Sequence, residues 1–244
     1  MSKSFSDLGI SSLLQQSLSD LQLSVPTDIQ QKAIPIILGK TEDVVAIAKT
    51  GTGKTAAFCL PLLQLVDPKD SNVQALILVP TRELGHQIHA NLVSYASLSS
   101  DISTAALCGG ISIKPQIERL KSTPQIVVAT PGRLLDLISK DAISLKALKY
   151  LILDEADEML KMGFADDLDA VFEKVPDTTQ KALFSATMPN DIEEISRTYL
   201  RNPVRVQVAP PGKPVEKIVQ GVHYIPNGDK AKLLESYLLK HPSE

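Results

Sequence analysis

Cysteine is scarce in this chain: Cys59 and Cys108 are the only two in 244 residues. Both lie in apolar surroundings, which predicts buried, reduced thiols and excludes a disulfide framework. The four histidines, His86, His89, His223 and His241, have no ligand spacing with them, so no zinc centre is implied. Long apolar runs are also missing, and Met1 to Asp7 lacks the apolar core of a signal peptide. The expectation is a soluble, cytoplasmic protein with no membrane partner. Nor is there an excess of positive charge: 25 Lys and Arg stand against 28 Asp and Glu, for a net charge of −3. No overall basic surface advertises nucleic acid, so any phosphate backbone must be held by a few aligned amides and local cations. There is no internal repeat. A composition of 43% hydrophobic and 22% charged residues describes a globular chain, large enough for one sizeable α/β domain and a short appendage.

Short apolar runs alternate with amphipathic stretches. The runs Val44 to Ala48, Ala75 to Val79, Thr104 to Leu107, Ile126 to Ala129, Tyr150 to Leu153, Ala182 to Phe184 and Val204 to Val208 predict strands. Helices are expected over Thr55 to Leu65, Arg82 to Ser97, Pro115 to Lys121, Gly132 to Lys140, Ala165 to Val175 and Asn190 to Tyr199. That order implies an α/β fold, a mainly parallel central sheet with helices on both faces. The stretch Ala209-Pro210-Pro211-Gly212-Lys213-Pro214 cannot continue regular structure. It divides the chain into a domain of residues 1–208, a linker of 209–216 and a segment of 217–244. In that last segment Gly221 to Ile225 reads as a strand and Lys230 to Lys240 as a helix, too little chain to bury a core alone.

Two motifs follow apolar runs directly. Ala48-Lys49-Thr50-Gly51-Thr52-Gly53-Lys54-Thr55 comes after the first, and Asp154-Glu155-Ala156-Asp157 after Tyr150 to Leu153. In the first, phosphates would sit where a helix starts, because unpaired N–H groups and the positive dipole end both favour an anion. Gly51 and Gly53 let the backbone approach closely, Lys54 supplies a mobile charge, and the Thr55 hydroxyl suits Mg²⁺. Ala48 stands where the strict pattern has glycine. Asp154 can hold hydrated Mg²⁺, and Glu155 can orient and deprotonate an attacking water. Asp157 is open between an interdomain contact and a solvated helix start.

Six motifs in series resemble the DEAD-box ATP-dependent RNA helicases: Ala48 to Thr55, Pro80-Thr81-Arg82-Glu83-Leu84, Gly109-Gly110, Thr130-Pro131-Gly132-Arg133, Asp154 to Asp157 and Ser185-Ala186-Thr187. They occur in the family's order across nearly the whole chain. The resemblance implies an N-terminal RecA-like P-loop domain that binds ATP and Mg²⁺. It also implies an adenine-reading element, matched by Phe5 and by Pro26-Thr27-Asp28-Ile29-Gln30. A side-chain amide carries donor and acceptor together, so Gln30 could pair with adenine N6 and N7 and reject guanine. Leu23 stands where the family usually stacks an aromatic ring on the base. Base-aromatic stacking is worth roughly 1–3 kcal/mol, so weakened nucleotide binding is expected.

The same resemblance assigns Pro80, Thr81, Arg82, Gly109, Gly110, Thr130, Pro131, Gly132 and Arg133 to an RNA-facing surface. Arg82 and Arg133 would offer forked guanidinium donors, Gly110 a close backbone approach, and Thr130 a free hydroxyl and amide. None reads a base edge, which implies sequence-independent binding to RNA through phosphate, sugar and 2′-hydroxyl. Taken singly, Arg82 paired with a nearby acid and Gly109-Gly110 in a turn are the plainer accounts. Ser185 and Thr187 are expected to bond to the acidic motif and, with Asp157, couple nucleotide state to RNA geometry, although they could instead cap the helix after Pro189. The family needs a second RecA-like domain whose arginines complete the ATP site. Residues 217–244 resemble only the first strand and helix of one, so the chain is expected to be a piece of a longer protein that binds ATP but hydrolyses it slowly. A nucleotide-dependent RNA-binding module and a DNA-directed motor with related motifs are the two alternatives.

Overall fold

The computed structural model describes residues 3–98, 101–208 and 229–240. The chain divides into two compact units, Met1–Pro211 and Gly212–Glu244. In chain order the first unit contains α1 (Ser12–Asp20), α2 (Asp28–Gly39), β1 (Val44–Ile47), α3 (Lys54–Leu65), β2 (Ala75–Leu78), α4 (Arg82–Tyr95), β3 (Thr104–Leu107), α5 (Lys114–Leu120) and β4 (Ile126–Ala129). It continues with α6 (Pro131–Ser139), β5 (Tyr150–Leu153), α7 (Ala156–Lys161), α8 (Ala165–Phe172), β6 (Gln180–Ser185), α9 (Asn190–Tyr199) and β7 (Val204–Gln207). Described by itself, the second unit holds α10 (Lys230–Lys240), where the sequence places a helix. The expected linker and the strand Gly221 to Ile225 lie outside the described residues.

The strands form one seven-stranded sheet in the order β3-β4-β2-β5-β6-β1-β7, and every pairing is parallel. The expected α/β class holds, with the sheet wholly rather than mainly parallel. Its strands are short and nearly continuous in apolar character because they are covered on both faces. Successive side chains alternate between two cores. Val44, Ala46, Ile77, Val128, Ile152 and Phe184 join α1, α2, α3 and α4 in one, while Val45, Leu76, Leu78, Val127, Leu151, Leu153 and Leu183 join α6, α7, α8 and α9 in the other. Each fully buried Leu or Ile stabilises the fold by about 1.5–3 kcal/mol relative to exposure.

Three helices differ from the sequence expectation. The segment of α1 is two-thirds polar and its buried apolar residues are Leu14 and Leu18, a pattern too sparse to stand out. Helix α7 is six residues long, shorter than any periodicity reveals. Helix α2, not among the expected helices, holds Asp28, Ile29 and Gln30 of the segment expected to read adenine and buries Ile29, Ala33, Ile34 and Ile37 against α3. Cys59 and Cys108 are free and buried, as expected, and burial pushes both thiols up. Among the described residues no helix is long and apolar enough to cross a membrane.

Helix α4 packs on the sheet through Gly85, where an added Cβ would lie 2.6 Å from Cys108 Sγ and 3.4 Å from Val79 Cγ2. Both neighbours are buried and have little room to yield. Gly85→Ala should therefore lower stability by about 1–3 kcal/mol, the usual range for overpacking. Urea unfolding of parent and variant measures it, and an unchanged midpoint would show that α4 shifts freely.

Candidate functional site

All seven strands point the same way, so the loops leaving their carboxyl ends share one edge, where open α/β sheets bind ligands. The phosphate-loop segment leaves β1, the acidic motif leaves β5 and Ser185 closes β6; these three strands are neighbours in the order β5-β6-β1. Segments 79–82, 108–113 and 130–133 leave β2, β3 and β4 beside them. The sheet thus gathers motifs scattered over most of the chain.

Gly53 caps α3 at φ 89°, and Gly51 sits at φ 80°, a left-handed region open to glycine at no steric cost. A Cβ on Gly51 would meet nothing within 4 Å, whereas one on Gly53 would lie 2.5 Å from Gln30 Nε2 and 3.0 Å from Thr27 Oγ1. Gly51 therefore serves backbone shape, and Gly53 also serves close packing. Ala48, at the head of the loop, is buried, and its amide donates to Ser185 O at 3.0 Å. Inside the loop the Thr52 hydroxyl donates to Lys49 O at 2.6 Å. Lys49 and Thr52 are half-buried, while Thr50 and Gly51 are exposed at the tip.

Lys54 is 6% exposed, yet among the described residues its Nζ has no hydrogen-bond partner. The nearest opposite charge is Asp154 Oδ1 at 4.0 Å, too long for a hydrogen bond. A buried ammonium without acceptors is costly, and oxygen-rich anionic groups would satisfy it. Asp154 is buried too, and its Oδ1 accepts from the Glu155 amide at 3.0 Å. Burial pushes its carboxyl up to about 6 against the downward pull of Lys54, with Glu155 adding to the rise. Glu155 adopts a left-handed φ of 53°, uncommon for a non-glycine residue, and half-exposes its side chain as it turns the chain from β5 into α7.

The donor set fits a nucleotide with magnesium. An unpartnered buried cation stands at a helix start, and the half-buried Thr55 hydroxyl and the Asp154 carboxylate are hard oxygen donors. Among the described residues no group of three or more His, Cys, Asp or Glu could cage a metal alone. That suits Mg²⁺, which usually keeps waters and shares its ligands with substrate phosphates.

Gln30 is not the solvated residue that its type suggests. It is 6% exposed, its Oε1 accepts from Thr27 N at 3.0 Å and its Nε2 donates to Gly53 O at 3.0 Å. Each end of the amide keeps one further site, a lone pair on Oε1 and a hydrogen on Nε2. Phe5 is a core residue at 5% exposure, and Leu23 is 42% exposed just after the left-handed Gln22.

Asp157 is neither solvated nor free. Its Oδ2 accepts from the Thr187 hydroxyl at 2.7 Å and the Thr187 amide at 3.2 Å, while Ser185 Oγ donates to Thr187 O at 2.7 Å. Burial would raise this carboxyl, but bonds from Thr187, Ser185 and the Ala186 backbone outweigh it and hold the group below the usual range. Neither hydroxyl caps α9, whose N-cap is Pro189 with no side-chain bond.

On the other flank, Pro80 is buried and Thr81 caps α4 by accepting from Leu84 N at 3.3 Å. Arg82 is exposed with its fork on Glu83 Oε1 at 3.2 and 3.0 Å, and a Cβ on Gly110, at φ 80°, would lie 3.5 Å from its Nη1. The plain ion pair and the turn are both present. Two expectations need correction. The Thr130 amide is not free but donates to Leu107 O at 3.2 Å, and its hydroxyl accepts from Gly109 N at 3.1 Å, because the strand edge continues through this residue. Arg133 does not offer an open fork: its side chain is 9% exposed and its Nη2 donates to Ile111 O at 2.7 Å. Pro131 and Gly132 open α6 ahead of it, Pro131 supplying the fixed φ that suits a first turn. This inward arginine carries no sequence signal, since an exposed one has the same neighbours in the chain.

Residues 27–195 match the family described as DEAD/DEAH box helicase. "RNA helicase CrhR" of Synechocystis sp. is 43% identical over 239 residues, covering 98% of this chain and 48% of that protein. "ATP-dependent RNA helicase DeaD" of Escherichia coli (strain K12) is 43% identical over 204 residues, covering 84% of this chain and 32% of its own length. This chain therefore spans less than half of either relative. The crystal structure of a DEAD box protein from the hyperthermophile Methanococcus jannaschii superimposes with a TM-score of 0.80 at 38% identity, over 85% of this chain and 56% of that one. The RecA-like reading of the fold is borne out.

Asp154 makes stability depend on pH in a definite direction. Its carboxyl titrates near 3.8 when unfolded and about 6 when folded, so its favourable contribution is complete below 3.8 and is lost as pH rises through 6. Relative to the parent, Asp154→Asn should gain stability across that window, by on the order of 3 kcal/mol, and change no further above pH 7. Urea unfolding of both proteins from pH 4 to 8, without nucleotide, measures the difference. A difference independent of pH would mean that folding leaves the Asp154 carboxyl unshifted.

Proposed function

This chain belongs to the DEAD/DEAH box helicase family, and from that membership we propose that it is the N-terminal ATP-binding half of a cytoplasmic, ATP-dependent RNA helicase. The observation that carries the reading is the buried Lys54 ammonium, unpartnered at the start of α3 and 4.0 Å from Asp154. In this proposal residues 1–208 are the RecA-like domain, 209–216 a linker, and 217–244 part of a second RecA-like domain of the same polypeptide.

Residues 48–55 wrap the phosphates, with Lys54 on the outer ones, where a point charge that tolerates a changing partner is useful. Thr55 and Asp154 would hold Mg²⁺, which when bound neutralises charge on the β- and γ-phosphate oxygens. Glu155 accepts a proton from the water attacking the γ-phosphorus while the bond to the β-γ bridging oxygen breaks. Gln30 reads adenine with the lone pair and the hydrogen it has left, with Phe5 supporting its helix from the core and Leu23 offering an apolar contact to the base. Arg82, the Gly110 backbone and the Thr130 hydroxyl face RNA through phosphate and sugar. The bonds from Thr187 to Asp157 tie the loop after β6 to the acidic motif, a link through which nucleotide state reaches the RNA side.

An arginine from the second domain would complete the transition state, a contribution worth about 10³–10⁵ in related hydrolases. The 244-residue chain alone should therefore bind ATP, hydrolyse it slowly and leave duplexes intact, while the longer protein couples RNA-stimulated hydrolysis to local strand separation.

Lys54→Ala should weaken binding of a fluorescent ATP analogue at least tenfold in this chain, since it removes the buried cation at the start of α3. In the longer protein Glu155→Gln should keep that affinity and lower turnover by about 10²–10⁴, the usual span for a general base. Normal turnover in Glu155→Gln would remove Glu155 as the base, and DNA-only stimulation would favour a DNA motor. Separately, Leu23→Phe should tighten nucleotide binding roughly five-fold or more, within the range of base-aromatic stacking. An unchanged dissociation constant would show that position 23 does not meet the base.

A further inference from the structure

We propose that Arg133 is a positioning residue: it holds the Cys108–Ile111 loop in its phosphate-receptive shape from behind and does not itself touch nucleic acid. The inference deepens the RNA-binding proposal above and rests on it. A forked guanidinium in the first turn of a helix at an edge that faces nucleic acid invites assignment to a phosphate, yet this one is turned inward. Its side chain is 9% exposed, its Nη2 donates to Ile111 O at 2.7 Å, and its Nε lies 3.9 Å from Asp136 Oδ2 on the same helix. Nε and Nη1 are buried with no hydrogen-bond partner, so neither is presented to solvent.

What Arg133 grips is the far end of a loop that is pinned elsewhere too. Gln116 Nε2 donates to Cys108 O at 2.9 Å, and Gly109 N donates to Thr130 Oγ1 at 3.1 Å. Ile111 O on Arg133 is the third tie, and it is charge-assisted, hence stronger than a neutral bond of the same geometry. Between the ties stands Gly110, exposed, at φ 80°, with no hydrogen bond among the described residues to its amide, and with the Arg82 guanidinium alongside. The three ties leave the Gly110 N–H, the exposed Arg82 guanidinium and the Thr130 hydroxyl among the groups that meet a phosphate. Ile111, beyond Gly110, is 46% exposed and belongs to neither buried core.

The test separates a positioning role from direct contact by salt dependence. Fluorescence anisotropy with a labelled single-stranded oligouridylate, from 20 to about 200 mM salt, gives affinity and ion release together. Arg82→Gln should reduce the slope of log K against log salt by about 0.7, the loss of one single-strand phosphate contact. Arg133→Gln should weaken binding about tenfold at every salt concentration with the slope unchanged. Without RNA, it should also speed amide hydrogen exchange at Gly109, whose N–H is held by Thr130 Oγ1, while the dissociation constant for nucleotide stays the same. Arg133→Lys, which keeps one donor and the charge, should recover part of both the protection and the affinity, and it serves as the test variant if Arg133→Gln does not fold. A slope lowered as much as in Arg82→Gln, with loop exchange unaltered, would overturn the proposal and make Arg133 a phosphate ligand. If the parent chain bound no RNA, the RNA reading would fall, while the exchange measurement would still decide whether Arg133 holds the loop.

Discussion

A lysine ammonium and an aspartate carboxylate, both out of water and 4.0 Å apart, are the constraint around which the first unit is organised. Neither group satisfies the other. Among the described residues Lys54 Nζ has no hydrogen-bond acceptor, and Asp154 Oδ1 accepts from the Glu155 amide. Burying two such charges in separate environments would be prohibitive, and bringing them into full contact would close the site. The wholly parallel sheet resolves this by setting β5 one strand away from β1 across β6, so that the charges face one another over a space framed by backbone. The buried apolar strands are the rigid support that keeps the charges there.

Tension of this kind extends outward from the pair. Glu155 takes a left-handed backbone to begin α7, which lets Asp157 turn inward to Thr187 within one helical turn. Ser185 ends, and Thr187 follows, the strand that lies between the segments leaving β1 and β5. Hydrogen bonds in this low-dielectric setting are worth more than on the surface, and a half-satisfied network would be worse than an apolar one. The network on Asp157 is satisfied; the deliberate gap is at Lys54.

The sheet was legible because its strands are apolar runs punctuated by loops carrying glycine, proline and hydroxyl residues, and all seven fall where the runs predict. Helix α7 was not, since six residues show no period, and α1 shows too few buried positions. The two motifs after β1 and β5 could be located on the sheet's carboxyl edge because their residue types, a lysine after glycines and carboxylates after an apolar run, stand out in the sequence. Side-chain direction could not be read. Arg133 and Thr130 occupy segments that lie on the expected edge, yet one guanidinium points inward and one amide continues the strand, choices made by tertiary packing. Gln30 shows the same limit: its type announced a paired donor and acceptor, but not that half of each is committed to Thr27 and Gly53.

The absent Cβ at residue 53 has a mechanical consequence. Because the Gln30 amide fills the place that side chain would take, the helix that would sense the base and the turn that would grasp the anion share a single atomic seat. Displacing either one must disturb the other, as with two gears cut on one shaft. A cargo lacking its heterocycle would meet a turn whose rear support is already engaged by protein, and discrimination between nucleotides would then register in how firmly the tail is gripped as well as in the fit of the ring.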